Sequence, residues 1–341
     1  MDIDQTRQQY YDDLQPLSLA PLWNVLKGLV PAEPVPAAQP WCWKWADVYP
    51  QLLRAGSLIS AEEAERRVLV MNNPGLPGKS QITDTLYAGL QLILPGEVAP
   101  AHRHTQSALR FAMHGSGAYT AVDGEKTYMS RGDFIITPHW TWHDHGHEGS
   151  EPVVWMDGLD VPMVNFLRAG FREGYEDATH PLSRTEGETA ARFGTGMLPL
   201  DVDRTRGTSP IFNYPYERSR EALQVLARAQ HPDPYSGICL KYVNPLNGGW
   251  AMPTLGTTLR LYPKNFSSRP YRSTDSLVLV CLEGRVDITI QDSTFTVGPN
   301  DIVAIPGWKR WAVAAHEESV LFGFSDRPVH ENLGLLREKR D

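Results

Sequence analysis

The sequence predicts a mainly β protein that contains two copies of one small β domain, joined by a helical connector. Short runs rich in β-branched and aromatic residues alternate with turns, as expected when 341 residues include 28 glycines and 27 prolines. The block Gly132-Asp-Phe-Ile-Ile-Thr-Pro138 returns as Asn300-Asp-Ile-Val-Ala-Ile-Pro306. A second block, Gly115-Ser-Gly-Ala-Tyr-Thr, returns as Gly284-Arg-Val-Asp-Ile-Thr. An internal duplication is the economical explanation of both repeats.

Local patterns divide the chain into four segments. These are a helical extension, a first β domain, a connector with a helix, and a second β domain with a C-terminal tail, at residues 1–78, 79–160, 161–235 and 236–341. In the extension, residues 21–28 and a segment capped by Ser60 favour helix. In the first β domain, Asp123-Gly124 between two β runs indicates a type I′ hairpin. Short antiparallel strands of this kind are typical of a sandwich or a small barrel.

Composition limits the functional classes. The chain has 21% charged and 41% hydrophobic residues and a formal net charge of −8, which indicates a folded globular protein. The acidic balance argues against nucleic acid or an anionic membrane as the main partner. No apolar run approaches the roughly 20 residues of a membrane helix, and the N-terminus lacks the features of a secretory signal. Three scattered cysteines are typical of reduced thiols, so we expect a cytoplasmic protein.

Three histidines of the first β domain are predicted to bind a metal ion. His102 and His104 lie two residues apart, hence on one face of a strand, and can hold one ion between them. His143 follows 39 residues later in a similar frame of glycine and proline. Three imidazoles would leave further coordination positions open for substrate. Imidazole suits iron, zinc, copper and nickel alike, so ligand type alone leaves the metal undecided.

The second copy has lost these ligands. Aligning the two copies on their repeated blocks places Tyr271, Ser273 and Trp311 at the positions of the three histidines. We therefore predict one metal ion per chain, in the N-terminal copy.

The blocks that contain the histidines resemble the two cupin motifs. The chain thus resembles a bicupin, a pair of double-stranded β-helix (jelly-roll) barrels with a metal in a barrel mouth. Cupins commonly place a glutamate three or four residues after the second histidine, whereas Thr105-Gln-Ser-Ala-Leu-Arg110 has no carboxylate. That departure, together with Arg66-Arg-Val-Leu-Val-Met-Asn-Asn-Pro-Gly and Trp140-Thr-Trp-His-Asp-His-Gly-His, resembles gentisate 1,2-dioxygenases and the related salicylate and 1-hydroxy-2-naphthoate dioxygenases. The resemblance covers nearly the whole chain and implies a homotetrameric, ring-cleaving enzyme with one Fe(II) per chain.

Strand parity predicts further site residues. If the strand through His102 is unbroken, Arg110 also points into the barrel, where it could bind a substrate carboxylate or pair with a carboxylate of the protein. His145 shares the parity of His143; the resemblance implies an acid–base role, and a core or rim histidine is the alternative. Asp157 is expected either to orient His145 or a ligand imidazole, or to form an Asp-Gly turn.

Four other residues are expected at the substrate. Gln91 and Gly89 have the parity of one strand face; the resemblance places both beside the substrate ring, and Gly89 leaves room for it. Tyr87 is expected as a wall of the pocket, with ordinary packing as the alternative. The resemblance makes Arg66 a second carboxylate-binding residue that enters from outside the barrel, and its neighbour Arg67 is an open alternative.

The predicted function is Fe(II)-dependent cleavage of gentisate (2,5-dihydroxybenzoate) by O2 to maleylpyruvate, in aromatic catabolism. Arg110 and Arg66 would hold the carboxylate, and His145 would manage protons. Salicylate or 1-hydroxy-2-naphthoate is left open as the substrate. A non-redox zinc or manganese isomerase or hydrolase, and a storage cupin without catalysis, are also left open. The expected partners are a small aromatic acid and O2, without nucleic acid or membrane.

Overall fold

The computed structural model describes residues 3–205 and 207–341, in two compact units that divide after Pro36. The smaller unit is helical, and its elements are helix α1 (Ile3–Leu14), a 3-10 turn (Gln15–Leu17) and helix α2 (Leu22–Leu29). Helix α2 lies where the sequence predicts a helix.

The first β domain is a barrel of two antiparallel sheets. Its strands are β2 (Val68–Val70), β3 (Tyr87–Ile93), β4 (Val98–His104), β5 (Ala108–His114), β6 (Ala118–Val122), β7 (Glu125–Tyr128), β8 (Phe134–Thr137), β9 (His143–His147), β10 (Val153–Leu159), β11 (Arg172–Gly174) and β12 (Asn213–Tyr214). A six-stranded sheet has the order β12-β8-β5-β10-β3-β2, and a five-stranded sheet has the order β11-β4-β9-β6-β7.

The second β domain repeats this arrangement. Its strands are β1 (Trp41–Trp43), β13 (Ile238–Lys241), β14 (Gly256–Tyr262), β15 (Tyr271–Ser273), β16 (Leu277–Glu283), β17 (Val286–Ile290), β18 (Ser293–Val297), β19 (Ile302–Ile305), β20 (Trp311–Ala315), β21 (Ser319–Ser325) and β22 (Glu338–Arg340). The sheet orders are β1-β19-β16-β21-β14-β13 and β22-β15-β20-β17-β18. The two barrels therefore have the same order strand for strand, which confirms the predicted duplication.

Helices of the larger unit flank the barrels. They are α3 (Trp45–Leu58), α4 (Ala61–Ala64), α5 (Val161–Phe166), α6 (Glu188–Phe193), α7 (Tyr216–Ala229) and α8 (Arg327–Asn332). Two local predictions are confirmed: Ser60 Oγ caps α4 by accepting from the Glu63 amide at 3.1 Å, and Asp123 and Gly124 have the positive φ of a type I′ turn, 47° and 84°. None of the helices in the described ranges is long and apolar enough to cross a membrane.

The two barrels pack back to back through their six-stranded sheets. One apolar core cluster includes Leu109 and Phe111 of the first barrel and Phe322 and Phe324 of the second. The rings of Phe111 and Phe322 stack with centroids 4.0 Å apart and planes at 10°. Alternate residues of each strand point the other way, into the barrel interior, which is where the candidate functional residues lie.

The two interiors differ in filling. The second barrel is filled by a large apolar cluster that includes Leu279, Val303 and Leu321. The corresponding face of the first barrel carries buried polar residues instead, and its apolar cluster is smaller. The strand pairs β5–β8 and β16–β19 are equivalent in the two barrels. Arg110 stands opposite Ile135 in the first pair, and Leu279 stands opposite Val303 at the corresponding position of the second pair. The inner face of the first barrel is therefore the more polar of the two.

Segment boundaries differ from those predicted at residues 78 and 161–235. The compact units divide after Pro36, and strands β1 and β2 from the predicted helical extension form edges of the two barrels. The connector likewise supplies β11 and β12 as edge strands of the first barrel. Each of these strands has two or three residues, too few for a two-residue periodicity to be recognised.

Candidate metal centre and active site

The three predicted histidines meet inside the first barrel. His102 and His104 stand on β4, and His143 begins β9, in direct register with His102. The ring centroids of His102 and His143 are 4.2 Å apart, and the ring of His104 lies 4.9 Å from that of His143. The candidate ligand nitrogens all lie within 4.8 Å of one another. In the described part of the chain, this is the one cluster of histidine, cysteine and carboxylate groups able to hold a metal ion.

Backbone carbonyls orient the three imidazoles. Nδ1 of His102 lies 3.2 Å from Pro100 O, Nδ1 of His104 lies 2.8 Å from Gln106 O, and Nδ1 of His143 lies 2.9 Å from the carbonyl of residue 141. With a proton on Nδ1, each imidazole would donate to its carbonyl and leave the Nε2 lone pair free. Among the described residues, Nε2 of His143 is buried without a hydrogen-bond partner.

The imidazoles are neutral, as metal ligands must be. Burial and the nearby Arg66 lower the pKa of His102 to about 2, and burial with Arg110 lowers the pKa of His104 to about 4. Burial lowers the pKa of His143 well below its ordinary value. Three neutral imidazoles on neighbouring strands, with ligand nitrogens within 4.8 Å of one another, fit a metal ion.

His145 lies beside this cluster, on the same face of β9 as His143. Its ring is 5.9 Å from the His143 ring and fully buried. Nδ1 lies 2.9 Å from Thr120 Oγ1, and Nε2 finds no hydrogen-bond partner within the residues described. Burial, with Arg110 nearby, lowers its pKa well below the ordinary value. His145 is thus a neutral imidazole with one nitrogen available.

Arg110 reaches the interior by a route other than the one predicted. The unbroken strand is wrong, because β4 ends at His104 and β5 begins at Ala108 in the opposite sheet. The chain crosses between the sheets at residues 105–107, and the inner face of the new sheet still looks toward the histidines. Arg110 is buried there, where its Nη1 donates to Thr137 Oγ1.

Asp157 pairs with Arg110 and not with a histidine. Arg110 Nε lies 3.6 Å from Asp157 Oδ1, and Trp155 Nε1 donates to the same oxygen at 3.0 Å. Asp157 lies within β10, so the predicted Asp-Gly turn is wrong, and no contact with His145 is present to support the orienting role. Burial raises the pKa of Asp157 and lowers the pKa of Arg110 to about 10. Because 3.6 Å is too long for a hydrogen bond, the pair leaves donor capacity on Arg110.

Arg66, and not Arg67, faces the histidines. Arg66 Nη2 lies 2.6 Å from His102 Nδ1, and Arg66 lines an open cavity of about 540 Å³ together with His102 and His104. Burial and the charge of Arg110 lower the pKa of Arg66 to about 9. Arg67 instead forms an ion pair with Glu97.

Residues of β3 form part of the same inner face. Gln91 is buried opposite Trp155, and its Oε1 has no hydrogen-bond partner in the described chain. Gly89 stands opposite Asp157, but a Cβ there would lie 2.5 Å from Val68 Cγ1 and 2.8 Å from the Tyr87 hydroxyl. The space that Gly89 leaves is therefore occupied by the protein, not by an opening for a substrate ring. Burial, with Asp157 nearby, raises the pKa of the Tyr87 phenol, which stays protonated.

Several cavity residues were missed from the sequence. Arg172 and Phe171 line the cavity from the connector, and Gln106 lines it from the crossing between sheets. Arg172 could not be found by periodicity because β11 has three residues. Thr137 shared the inward parity of β8 and could have been found once Arg110 was placed.

Fold and site define a double cupin with one candidate metal centre. Residues 89–161 match the cupin domain family. The chain is 48% identical to gentisate 1,2 dioxygenase 1 of Aquipseudomonas alcaligenes, over 99% of this chain and 98% of that protein. It is 40% identical to a gentisate 1,2-dioxygenase of Ralstonia sp., over 97% and 94%. Salicylate 1,2-dioxygenase of Pseudoaminobacter salicylatoxidans, solved as an adduct with gentisate, superimposes with a TM-score of 0.91 at 32% identity, covering 100% of this chain and 95% of that one. This chain belongs to the gentisate 1,2-dioxygenase family.

Proposed function

We propose that the chain cleaves the aromatic ring of gentisate with O2 to give maleylpyruvate, using one Fe(II) held by His102, His104 and His143. The observation that carries this proposal is the placement of three neutral imidazoles beside two guanidinium groups that share one carboxylate. Curated relatives named gentisate 1,2-dioxygenase and a solved relative in adduct with gentisate support the choice of substrate.

Iron would be held by the three Nε2 atoms. When bound, it would supply open coordination positions for the substrate and O2, and the means of passing electron density from the ring to O2. The carbonyl contacts to Nδ1 hold each imidazole in the tautomer that such binding needs. His102 Nδ1 lies near both Pro100 O and Arg66 Nη2, but it cannot both donate to the carbonyl and accept from the guanidinium. A protonated Nδ1 would leave the Arg66 guanidinium available to a carboxylate in the open cavity.

Charge explains why an aromatic acid is expected. The charge of Arg110 lowers the pKa of Arg66, and the single carboxylate of Asp157 offsets only one of the two positive charges. A carboxylate in the cavity would neutralise the other. The planar guanidinium fork matches a carboxylate, and Arg110 Nε has no hydrogen-bond partner among the residues described. Arg66 and Arg110 are therefore proposed to bind the carboxylate of gentisate.

His145 is proposed to manage the protons of the ring hydroxyls. Its Nε2 is buried beside the metal cluster and unoccupied by any described residue, whereas Thr120 Oγ1 holds Nδ1. A neutral imidazole can accept a proton as the hydroxyl ionises and return it later in the reaction. Asp157 is proposed to position Arg110. Gln91 and Tyr87 are proposed to contact the substrate from β3.

The choice among related substrates rests on the ring substituents. Gentisate, salicylate and 1-hydroxy-2-naphthoate all carry a carboxylate with a neighbouring hydroxyl, so the same arginines and metal could bind each of them. We favour gentisate because its second hydroxyl makes the ring richer in electrons. The homotetramer and the cytoplasmic location implied by the family resemblance stay predictions.

Product formation tests this function directly. Metal-free protein is reconstituted anaerobically with Fe(II) or with Zn(II), and ring cleavage is followed by ultraviolet absorbance and oxygen uptake for the three substrates. We expect turnover of gentisate with iron, with one O2 consumed per ring, and none with zinc. Full activity with zinc, or no oxygen uptake with any of the three acids, would overturn the proposal.

A further inference from the structure

The second barrel holds a cavity that the activity proposed for the first barrel does not use. Its volume is about 290 Å³, close to the lower end of the roughly 300–1,000 Å³ typical of small-molecule sites. Tyr271 and Trp311 line it and face each other in register, as His102 and His143 do in the first barrel. The cavity thus occupies the place of the metal centre in the other copy.

Arg260 on β14 is a cation without an ionic partner in this cavity. Its guanidinium carbon lies 5.6 Å from the ring centre of Trp311, and its Nε lies 3.5 Å from Thr258 Oγ1, at the limit of a hydrogen bond. Within the described ranges, no carboxylate oxygen comes within 4.0 Å of its nitrogens. A partly buried guanidinium loses hydration and is stabilised by an anion.

The nearby acidic groups are already engaged. Arg327 lies 2.7 Å from Glu338, 3.0 Å from Glu331 and 3.7 Å from Asp275. Tyr271 donates a further hydrogen bond to Glu338 at 2.5 Å. These carboxylates therefore serve Arg327, and Arg260 forms no ion pair with any of the described residues.

The cavity as a whole is positive although the chain carries a net charge of −8. Four basic and two acidic side chains line it, namely Lys241, Arg260, Arg327, Arg340, Asp233 and Glu338. Rings of Trp250, Trp311, Tyr271 and Tyr235 form flat walls between these charges. Positive charge at one point and aromatic walls around it suit a ligand with one anionic group and a flat apolar body.

We propose that the second barrel binds a small aromatic monocarboxylate, with its carboxylate on Arg260 and its ring between Trp311 and Trp250. The inference does not depend on the activity of the first barrel, because neither the cavity nor Arg260 touches the histidine cluster.

The reactivity of Cys239 can report whether a ligand occupies the cavity of the second barrel. It stands opposite Arg260 in register, is half-buried and lines the same cavity. The other thiols are less reactive, because burial raises the pKa of Cys42 to about 11 and the pKa of Cys281 to about 12. Alkylation of Cys239 by iodoacetamide, followed by peptide mass spectrometry on the full chain, therefore reports on this cavity and not on the first barrel.

The test compares benzoate with benzamide, which has the same ring without the charge. Benzoate is expected to slow alkylation of Cys239 by about threefold or more once the site is mostly filled, and benzamide is not. Arg260→Gln should abolish this protection while gentisate turnover is unchanged, and Arg285→Gln, an exposed arginine of the same barrel, should retain it.

Equal alkylation with and without benzoate, equal protection by benzamide, or protection that survives Arg260→Gln would overturn the proposal. If Arg260→Gln does not fold, the comparison of benzoate with benzamide on the unaltered chain still tests whether the cavity binds a carboxylate.

Discussion

Two arginines determine what the first barrel can bind. Arg110 lies close enough to lower the pKa of Arg66, and both arginines lower the pKa of His104. The carboxylate of Asp157 nevertheless stands 3.6 Å from Arg110. Such an arrangement is stable only with an anion in the cavity or with water screening the charges. The residues that hold the substrate are thus the ones that the protein itself leaves incompletely paired.

Arg110→Gln tests the carboxylate-binding role. The substitution removes the guanidinium and leaves the buried Asp157 without its ion-pair partner. We expect kcat/KM for gentisate to fall by roughly 30-fold to a few thousand-fold, which corresponds to about 2–5 kcal/mol. The matched control is Arg67→Gln, since Arg67 is a buried arginine paired with Glu97. Steady-state kinetics of both variants measures the two losses. An equal loss of kcat/KM in Arg67→Gln and Arg110→Gln would contradict the assignment.

His145→Gln tests proton management. Glutamine keeps a polar group of similar size but cannot take up a proton, so we expect kcat to fall by about 10²–10⁴-fold with iron content unchanged. Thr120→Val removes the hydroxyl at His145 Nδ1 and should cost far less, about tenfold or below, as for one hydrogen bond. Turnover of His145→Gln at the rate of the unaltered chain would exclude the role.

At the scale of the strand, close contacts between side chains on β2 and β3 set the shape of the inner face. Gly89 is required because Val68 and Tyr87 fill the space where a side chain would lie. The Tyr87 hydroxyl therefore lies directly over Gly89. The glycine therefore acts on the site through its neighbours.

Gly89→Ala should destabilise the protein by about 1–3 kcal/mol, because a methyl group there overpacks the strand pair. Gly174→Ala is the matched control, since Gly174 also lies in a strand and has open space around its Cβ position. Urea unfolding of the two variants measures the difference. A Gly89→Ala protein as stable as Gly174→Ala would show that the strands can shift apart at no cost.

Sequence reasoning succeeded where a pattern recurs along the chain or has one chemical meaning, and it failed where the structure depends on strand register or on a crossing between sheets. The duplication, the hairpin at Asp123 and the three-histidine cluster all follow from patterns that recur or that have one chemical meaning. The crossing at residues 105–107 left no such pattern, and Arg110 was placed correctly only because the inner faces of both sheets look at one cavity. The pairing of Asp157 with Arg110 was also beyond reach, since it depends on the register of β10 against β5, which the sequence does not specify.

At the scale of the whole molecule, duplication separates two tasks. The barrels share strand order and a common apolar core, but one interior is polar and carries the histidines while the other is filled with apolar side chains. The second barrel therefore supports the first through the packed six-stranded sheets, and its own mouth is free for another ligand.

Phe322→Ala tests this mutual support. Phe322 is fully buried and stacks on Phe111 across the two barrels, so its removal should cost about 3–5 kcal/mol. We expect both barrels to unfold in one transition at a lower temperature, as measured by calorimetry. Phe166→Ala, at a phenylalanine that is 85% exposed, serves as the control and should change stability little. Two separate transitions in Phe322→Ala would contradict the shared core.

The central claim is that one metal ion, held by three histidines in the first barrel, makes the chain a gentisate dioxygenase. Anaerobic titration of metal-free protein with Fe(II), with gentisate-dependent oxygen uptake measured after each addition, tests it most directly. Activity is predicted to rise linearly and stop at one iron per chain, and His143→Ala is predicted to stay inactive at every addition. A plateau at two irons per chain, or full activity in His143→Ala, would contradict the assignment.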